Sequence, residues 1–194
     1  MNKIILVDCD GVLLDWKYSF HRFLLRHGYI SNDIEIDPTC YNISSQYKIG
    51  DVSRLTRLFN ESAFMYSLPP LRDAVKYVKK MFAEHGYQFH VITSQTNLPQ
   101  AQQLRIKNLE NTFGKEVFHG FTFLDCGGDK ELVLQEWARE GDNYWIEDKI
   151  ENAMCGLDVG LQPILMRHDY NEISDKQIPG FWSWKEIYEH ITHL

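Results

Sequence analysis

The chain is predicted to fold as a Rossmann-like α/β domain, a doubly wound parallel sheet with a small helical cap inserted after the first strand. Three observations predict this. Short runs that are apolar at nearly every position recur along the sequence, the pattern of strands covered on both faces. Helical periodicity fills most of the gaps between them, which joins successive strands by right-handed βαβ crossovers. One gap, after the first run, is long and free of strand-like sequence.

The first strand is Ile4-Ile5-Leu6-Val7, running directly into Asp8-Cys9-Asp10-Gly11. In the long gap, Trp16, Phe20, Phe23 and Leu24 fall on one helical face that ends at Gly28, and a second helical piece covers Val52 to Phe59. The Pro69-Pro70 pair marks the return to the core, which places the cap at 15–68 and the core at 1–14 and 69–194. Leu71, Ala74, Val75, Val78, Met81 and Phe82 form the next helix, with Gly86 where a C-terminal glycine cap belongs. The strand Phe89-His90-Val91-Ile92 comes next, then a helix through Leu98, Ala101, Leu104 and Leu109 to Gly114. Phe121-Thr122-Phe123-Leu124 is the third strand, and Leu132, Val133, Trp137 and Ala138 mark a helix ending near Gly141. Tyr144-Trp145-Ile146 and Pro163-Ile164-Leu165-Met166 complete the strands.

With 194 residues the chain has room for one core and one modest insertion. Its formal net charge of −7 gives no cationic field for a long nucleic acid, while leaving a small phosphorylated substrate open to local cations and a metal. Cys9, Cys40, Cys126 and Cys155 form no CxxC pair, and no signal peptide is read, so a reducing cytoplasm is the expected location. No apolar stretch approaches the roughly 18 residues that cross a bilayer. His85, His90, His119 and His168 lack ligand spacing with the cysteines for zinc. A monomer or homodimer is expected.

Ligands of a parallel sheet sit beyond the carboxyl ends of its strands, near the point where strand order reverses. The residues just past each strand are therefore informative. After the first come Asp8, Asp10 and Gly11; after the second, Thr93-Ser94; at the start of the third core helix, Lys130; after the fourth strand, Glu147-Asp148, with Asn152 beyond. Clustered carboxylates call for a hard cation such as Mg²⁺. A carboxylate can attack phosphorus to give an aspartyl-phosphate, splitting one hard displacement into two easier ones. Gly11 permits a tight turn, Thr93 and Ser94 can hold phosphate oxygens, and Lys130 can do so while keeping Asp8 ionised. Lys107 or Lys115 could stand in for Lys130, and Thr93-Ser94 could instead be a helix N-cap pair.

Asp8-Cys9-Asp10-Gly11-Val12, Thr93, Lys130 and Glu147-Asp148 resemble, in order, the four motifs of the haloacid dehalogenase superfamily, and the insertion resembles its C1-type helical cap. The resemblance implies a phosphatase with Asp8 as nucleophile and Asp10 as general acid/base. It also implies a Mg²⁺ site made by Asp8, the backbone carbonyl of Asp10, Asp148 and the neighbouring Glu147. Aspartate at position 10 favours phosphatases over dehalogenases, because a halide leaving group needs no acid. A finer resemblance, to the 5'-nucleotidase and deoxyribonucleotidase branch, is carried by Thr93-Ser94, Asn111-Thr112-Phe113-Gly114, Arg167-His168-Asp169-Tyr170-Asn171 and Trp184. It implies a nucleoside monophosphate, with Trp16, Phe20, Tyr41 or Tyr47 stacking on the base and Arg105 or Lys107 near the phosphate. A phosphotransferase or mutase shares these motifs, and a non-catalytic binding module could keep the fold. A response-regulator receiver also uses an aspartate and Mg²⁺, but its phosphoacceptor lies after the third strand.

Overall fold

A computed structural model describes residues 3–47, 49–141, 143–171 and 177–193. The five expected strands form as β1 (Lys3–Val7), β2 (Tyr87–Ser94), β3 (Phe118–Leu124), β4 (Tyr144–Glu147) and β5 (Gln162–Met166). A sixth, β6 (Gly180–Phe181), pairs with β5 at the edge. The sheet is parallel throughout, in the order β3-β2-β1-β4-β5-β6. From β1 the chain winds outward through β2 and β3, then crosses back to place β4 on the other side of β1. Strand order thus reverses between β1 and β4, which opens the crevice where such folds bind ligands.

The unbroken apolar runs are explained by the two covers of the sheet. Ile5 and Val7 join one buried cluster with Phe89, Val91, Ile146, Ile164 and Met166. Leu6 points the other way, into a cluster with Ile92, Trp145, Leu134 and Leu161. Alternate residues of one strand therefore meet two cores.

The core helices α4 (Ala74–His85), α5 (Pro99–Phe113) and α6 (Glu131–Glu140) occupy the expected gaps, and Gly86 ends α4 in the left-handed conformation at φ 72°. Two further helices lie outside the expected set. The first, α7 (Ile150–Asp158), supplies the crossover between β4 and β5; the second, α8 (Trp184–Thr192), opens on a reciprocal cap between Ser183 and Glu186.

Segment 15–68 is helical, with no strand among its described residues: α1 (Trp16–Arg26), α2 (Ile43–Tyr47), α3 (Val52–Asn60) and a 3-10 turn at Ala63–Tyr66. Its interior is aromatic: Trp16 stacks on Phe20 at 4.8 Å between centroids, and Phe59 lies 5.3–5.4 Å from Trp16, Phe20 and Phe23. Exit and return are tied together. The Asp15 N–H donates to the Pro69 carbonyl and the Leu71 N–H to the Leu13 carbonyl, both at 2.9 Å, beside a bridge between Leu14 and Pro70. Among the described residues no helix is long and apolar enough to cross a membrane.

Candidate active site

The crevice between β1 and β4 opens into a cavity of about 700 Å³ that runs up to segment 15–68. Asp8, Asp10, Gly11, Thr93, Ser94, Lys130, Glu147 and Asp148 all line it. Residues from four separate regions of the sequence meet there because each lies just past, or faces, the carboxyl end of a central strand.

Asp8 is the first residue beyond β1, and its N–H donates to the Ile146 carbonyl at 2.9 Å, which ties the strand end to β4. Asp8, Glu147 and Asp148 are buried and each brings a carboxylate oxygen within 4.8 Å of the others. Lys130, itself buried, places its Nζ 2.7 Å from both Asp8 Oδ1 and Glu147 Oε2.

One ammonium shared between two carboxylates does not serve them equally. Glu147 also accepts from Asn152 Nδ2 at 3.1 Å and from the N–H groups of Asp148 and Lys149 at 3.0 Å. Burial alone would raise its carboxyl, but Lys130 and these donors outweigh that and hold it below the usual glutamate range. Among the described residues, the Asp8 carboxylate accepts a hydrogen bond from Lys130 alone. Burial pushes its carboxyl up to about 7 against the pull of Lys130, with Glu147 and Asp10 adding to the rise. Asp148 is raised as well, first by burial and then by the charges of Glu147 and Asp8. For Lys130, its two carboxylate partners outweigh burial and hold the ammonium protonated.

The cluster therefore concentrates more negative charge than Lys130 offsets, from hard oxygen donors. That is the donor chemistry Mg²⁺ takes. Glu147, expected among the metal ligands, stands in the three-carboxylate cluster and also seats Lys130, with both oxygens accepting from N–H donors.

The raised carboxyl of Asp8 has a measurable consequence. Between about pH 4 and 7 the folded protein retains a proton that the unfolded chain has lost, so this residue's contribution to stability falls as pH rises through its folded value. His90 and His168, lowered to about 4 mainly by burial, slope the opposite way below their usual value. The contribution of Asp8 is isolated by difference. Without divalent ions, Asp8→Asn is expected to lie nearest the wild type in melting near pH 4, and to gain on it as pH rises to about 7. A difference independent of pH would contradict this.

Asp10 lies outside the three-carboxylate cluster. Its carboxylate is ion-paired with Arg105, which is fully buried and also donates to Cys9 Sγ and Met65 Sδ, each at 3.0 Å. Arg105, proposed from the resemblance as a phosphate neighbour, is thus the partner of Asp10. The Cys9 thiol is buried and pushed up to about 12, first by burial, so it offers no thiolate.

Gly11 turns at φ 77°, and a Cβ there would lie 2.5 Å from Asp148 Oδ2, so only glycine lets the two loops approach this closely. Thr93 is buried at the end of β2, whereas the Ser94 hydroxyl donates to the Gly128 carbonyl at 2.9 Å and fixes the loop before Lys130. Lys107 and Lys115 are not among the residues that line the cavity; among the described residues, its lysines and arginine are Lys17, Arg72, Lys130 and Lys149. Of the aromatic residues expected near a base, Trp16 and Tyr41 line the cavity. Phe20 and Tyr47 are buried inside segment 15–68, where Tyr47 bonds His21 Nδ1 at 3.0 Å.

No protein-family model and no curated protein matches the chain. Solved structures do match its fold over nearly the full length, and they are haloacid dehalogenase-superfamily hydrolases. A haloacid dehalogenase-family hydrolase from Bacillus subtilis, bound to magnesium, aligns with a TM-score of 0.66 at 14% identity, covering 99% of both chains. A D,D-heptose 1,7-bisphosphate phosphatase from B. bronchiseptica, complexed with magnesium and phosphate, aligns at 0.63 and 10% identity, covering 98% of both. An L-2-haloacid dehalogenase aligns at 0.61 and 11% identity, covering 99% of this chain and 100% of the other. The fold is therefore the haloacid dehalogenase-like α/β fold. At such identities the likeness carries the architecture and leaves the chemistry to the site.

Proposed function

We propose that the protein is a Mg²⁺-dependent phosphomonoesterase for a small phosphorylated metabolite. The observation that carries this reading is Asp8. Its carboxylate stands at the reversal of strand order, within 4.8 Å of Asp148, with Lys130 Nζ at 2.7 Å. Asp8, Asp148 and the backbone carbonyl of Asp10 would hold the cation, whose chemistry is to offset repulsion between an anionic phosphate and an anionic nucleophile.

In this reading an Asp8 oxygen attacks phosphorus, the new O–P bond forming as the ester P–O bond breaks. Asp10 in its protonated form gives that proton to the leaving alcohol oxygen, and as the carboxylate left behind it takes one from the water that hydrolyses the aspartyl-phosphate. Thr93 and Lys130 hold phosphate oxygens as charge builds on them. Arg105 fixes the Asp10 carboxylate at the cavity wall. Segment 15–68 serves as the cap, with Trp16 and Tyr41 facing the organic part of the ester. Their aromatic rings make a nucleoside monophosphate the first substrate to try.

The test is phosphate release from p-nitrophenyl phosphate and a panel of phosphorylated metabolites, nucleoside monophosphates included, with Mg²⁺ and with EDTA. Release that requires Mg²⁺ is expected. Transfer to an added acceptor alcohol in place of water would reassign the protein as a phosphotransferase. Dehalogenation of a 2-haloacid without phosphate release would overturn the reading.

A further inference from the structure

Asp148 has a partner outside the four motifs. The Tyr170 hydroxyl donates to Asp148 Oδ2 at 2.6 Å, from the loop beyond β5. That loop is held tightly. Asn171, buried, donates through Nδ2 to the carbonyls of Asp148 at 2.6 Å and Met166 at 2.8 Å, and its Oδ1 accepts from the His168 N–H at 2.7 Å. His168 Nε2 lies 2.7 Å from the Gly11 carbonyl, and its ring stacks on Tyr170 at 4.8 Å and 4°. Two residues of segment 15–68 also touch the Tyr170 ring: Tyr41 at 5.3 Å between centroids, and Lys17, whose Nζ lies 5.5 Å from its centre. Lys17 is fixed in turn by the carbonyls of Asp37 at 2.5 Å and Cys40 at 2.7 Å.

A carboxylate with one oxygen fixed by a rigid donor loses its freedom to rotate, and its other oxygen is aimed. Groups that orient metal ligands in this way typically carry about 10- to 100-fold of metal affinity. We propose that Tyr170 is a positioning residue for the divalent ion, clamping Oδ2 of Asp148 so that its remaining oxygen faces Asp8. This rests on the metal-site reading above. Tyr170 acts through Asp148 and need not touch the ester.

The experiment is calorimetric titration of Mn²⁺ into the full chain without substrate, for the wild type, Tyr170→Phe and Asp148→Asn. Tyr170→Phe removes the hydroxyl and keeps the ring between His168 and Tyr41. The expected result is Mn²⁺ binding by the wild type, about tenfold weaker binding by Tyr170→Phe, and none measurable for Asp148→Asn. Tyr170→Phe binding within twofold of wild type while Asp148→Asn fails would overturn the inference alone, whatever happens to the melting temperature. Equal binding by all three, or no binding by the wild type, would overturn the metal-site reading and the inference together.

Discussion

Asp8→Asn is expected to lower phosphate release by on the order of ten-thousandfold or more, while leaving the metal-free protein at least as stable as the wild type near pH 8. The two halves have one cause. The amide cannot attack phosphorus, so the route through a covalent intermediate closes. It also removes one of three clustered buried carboxylates, one of the two that share Lys130, and the one whose carboxyl burial has pushed up to about 7. Glu147 keeps its full set of donors, so Lys130 keeps a partner. Loss of activity with retained or raised stability marks a residue placed against the interest of the fold, which is the signature of a functional group. Steady-state assay and thermal melting on one preparation measure both. Activity near the wild-type level would remove Asp8 as nucleophile.

The parts legible in the sequence were those whose physics is local. Strands β1 to β5 announced themselves because both faces of the sheet are covered, so Ile5, Leu6 and Val7 are all apolar although they serve two clusters. The residues of the candidate site were legible because a parallel sheet delivers the residues just past its strands to one rim. Strand β6 has two residues, too few to carry a period. Helix α8 does carry a local signal: serine at 183 and glutamate at 186 make a capping box, with Ile187 and Ile191 one turn apart behind it. Arg105 offers a subtler one. It shares a buried face of α5 with Ala101, Asn108 and Leu109, and an arginine on such a face needs an anionic partner. The identity of that partner, Asp10, is a tertiary fact across 95 positions of chain. Tyr170 stood in the Arg167–Asn171 stretch of the finer resemblance, but nothing in that stretch shows that β5 will deliver its hydroxyl to Asp148. The motif placed Glu147 in the carboxylate cluster, where the fold puts it, but its four N–H donors come from the side chains of Lys130 and Asn152 and the backbone of Asp148 and Lys149, and no motif shows these bonds.

Lys130→Met is expected to cost both function and folding, and the pH dependence of the folding loss identifies its origin. The methionine has similar reach and no charge. Phosphate release should fall by on the order of 10²–10³ in kcat, as for removal of one donor to a charged transition state. In the folded protein three buried carboxylates would then face one another without a cation, and breaking a buried pair by removing one partner typically costs about 3–5 kcal/mol. Asp8, Glu147 and Asp148 can relieve that repulsion only by taking up protons. The destabilisation should therefore be smaller near pH 5 and grow toward pH 8, because the variant's folded state binds more protons than its unfolded chain. Denaturant melts at the two pH values, with divalent ions removed, measure the difference. A loss of stability of equal size at both would mean that Lys130 contributes packing of its aliphatic stem, whose ammonium lies 5.1 Å from the centre of the Trp145 ring, more than charge. Combining Lys130→Met with Asp8→Asn should recover part of the stability at pH 8 but none of the activity. The first change removes the cation and the second removes a carboxylate it had balanced, so their stability effects are coupled, whereas the chemistry needs both groups.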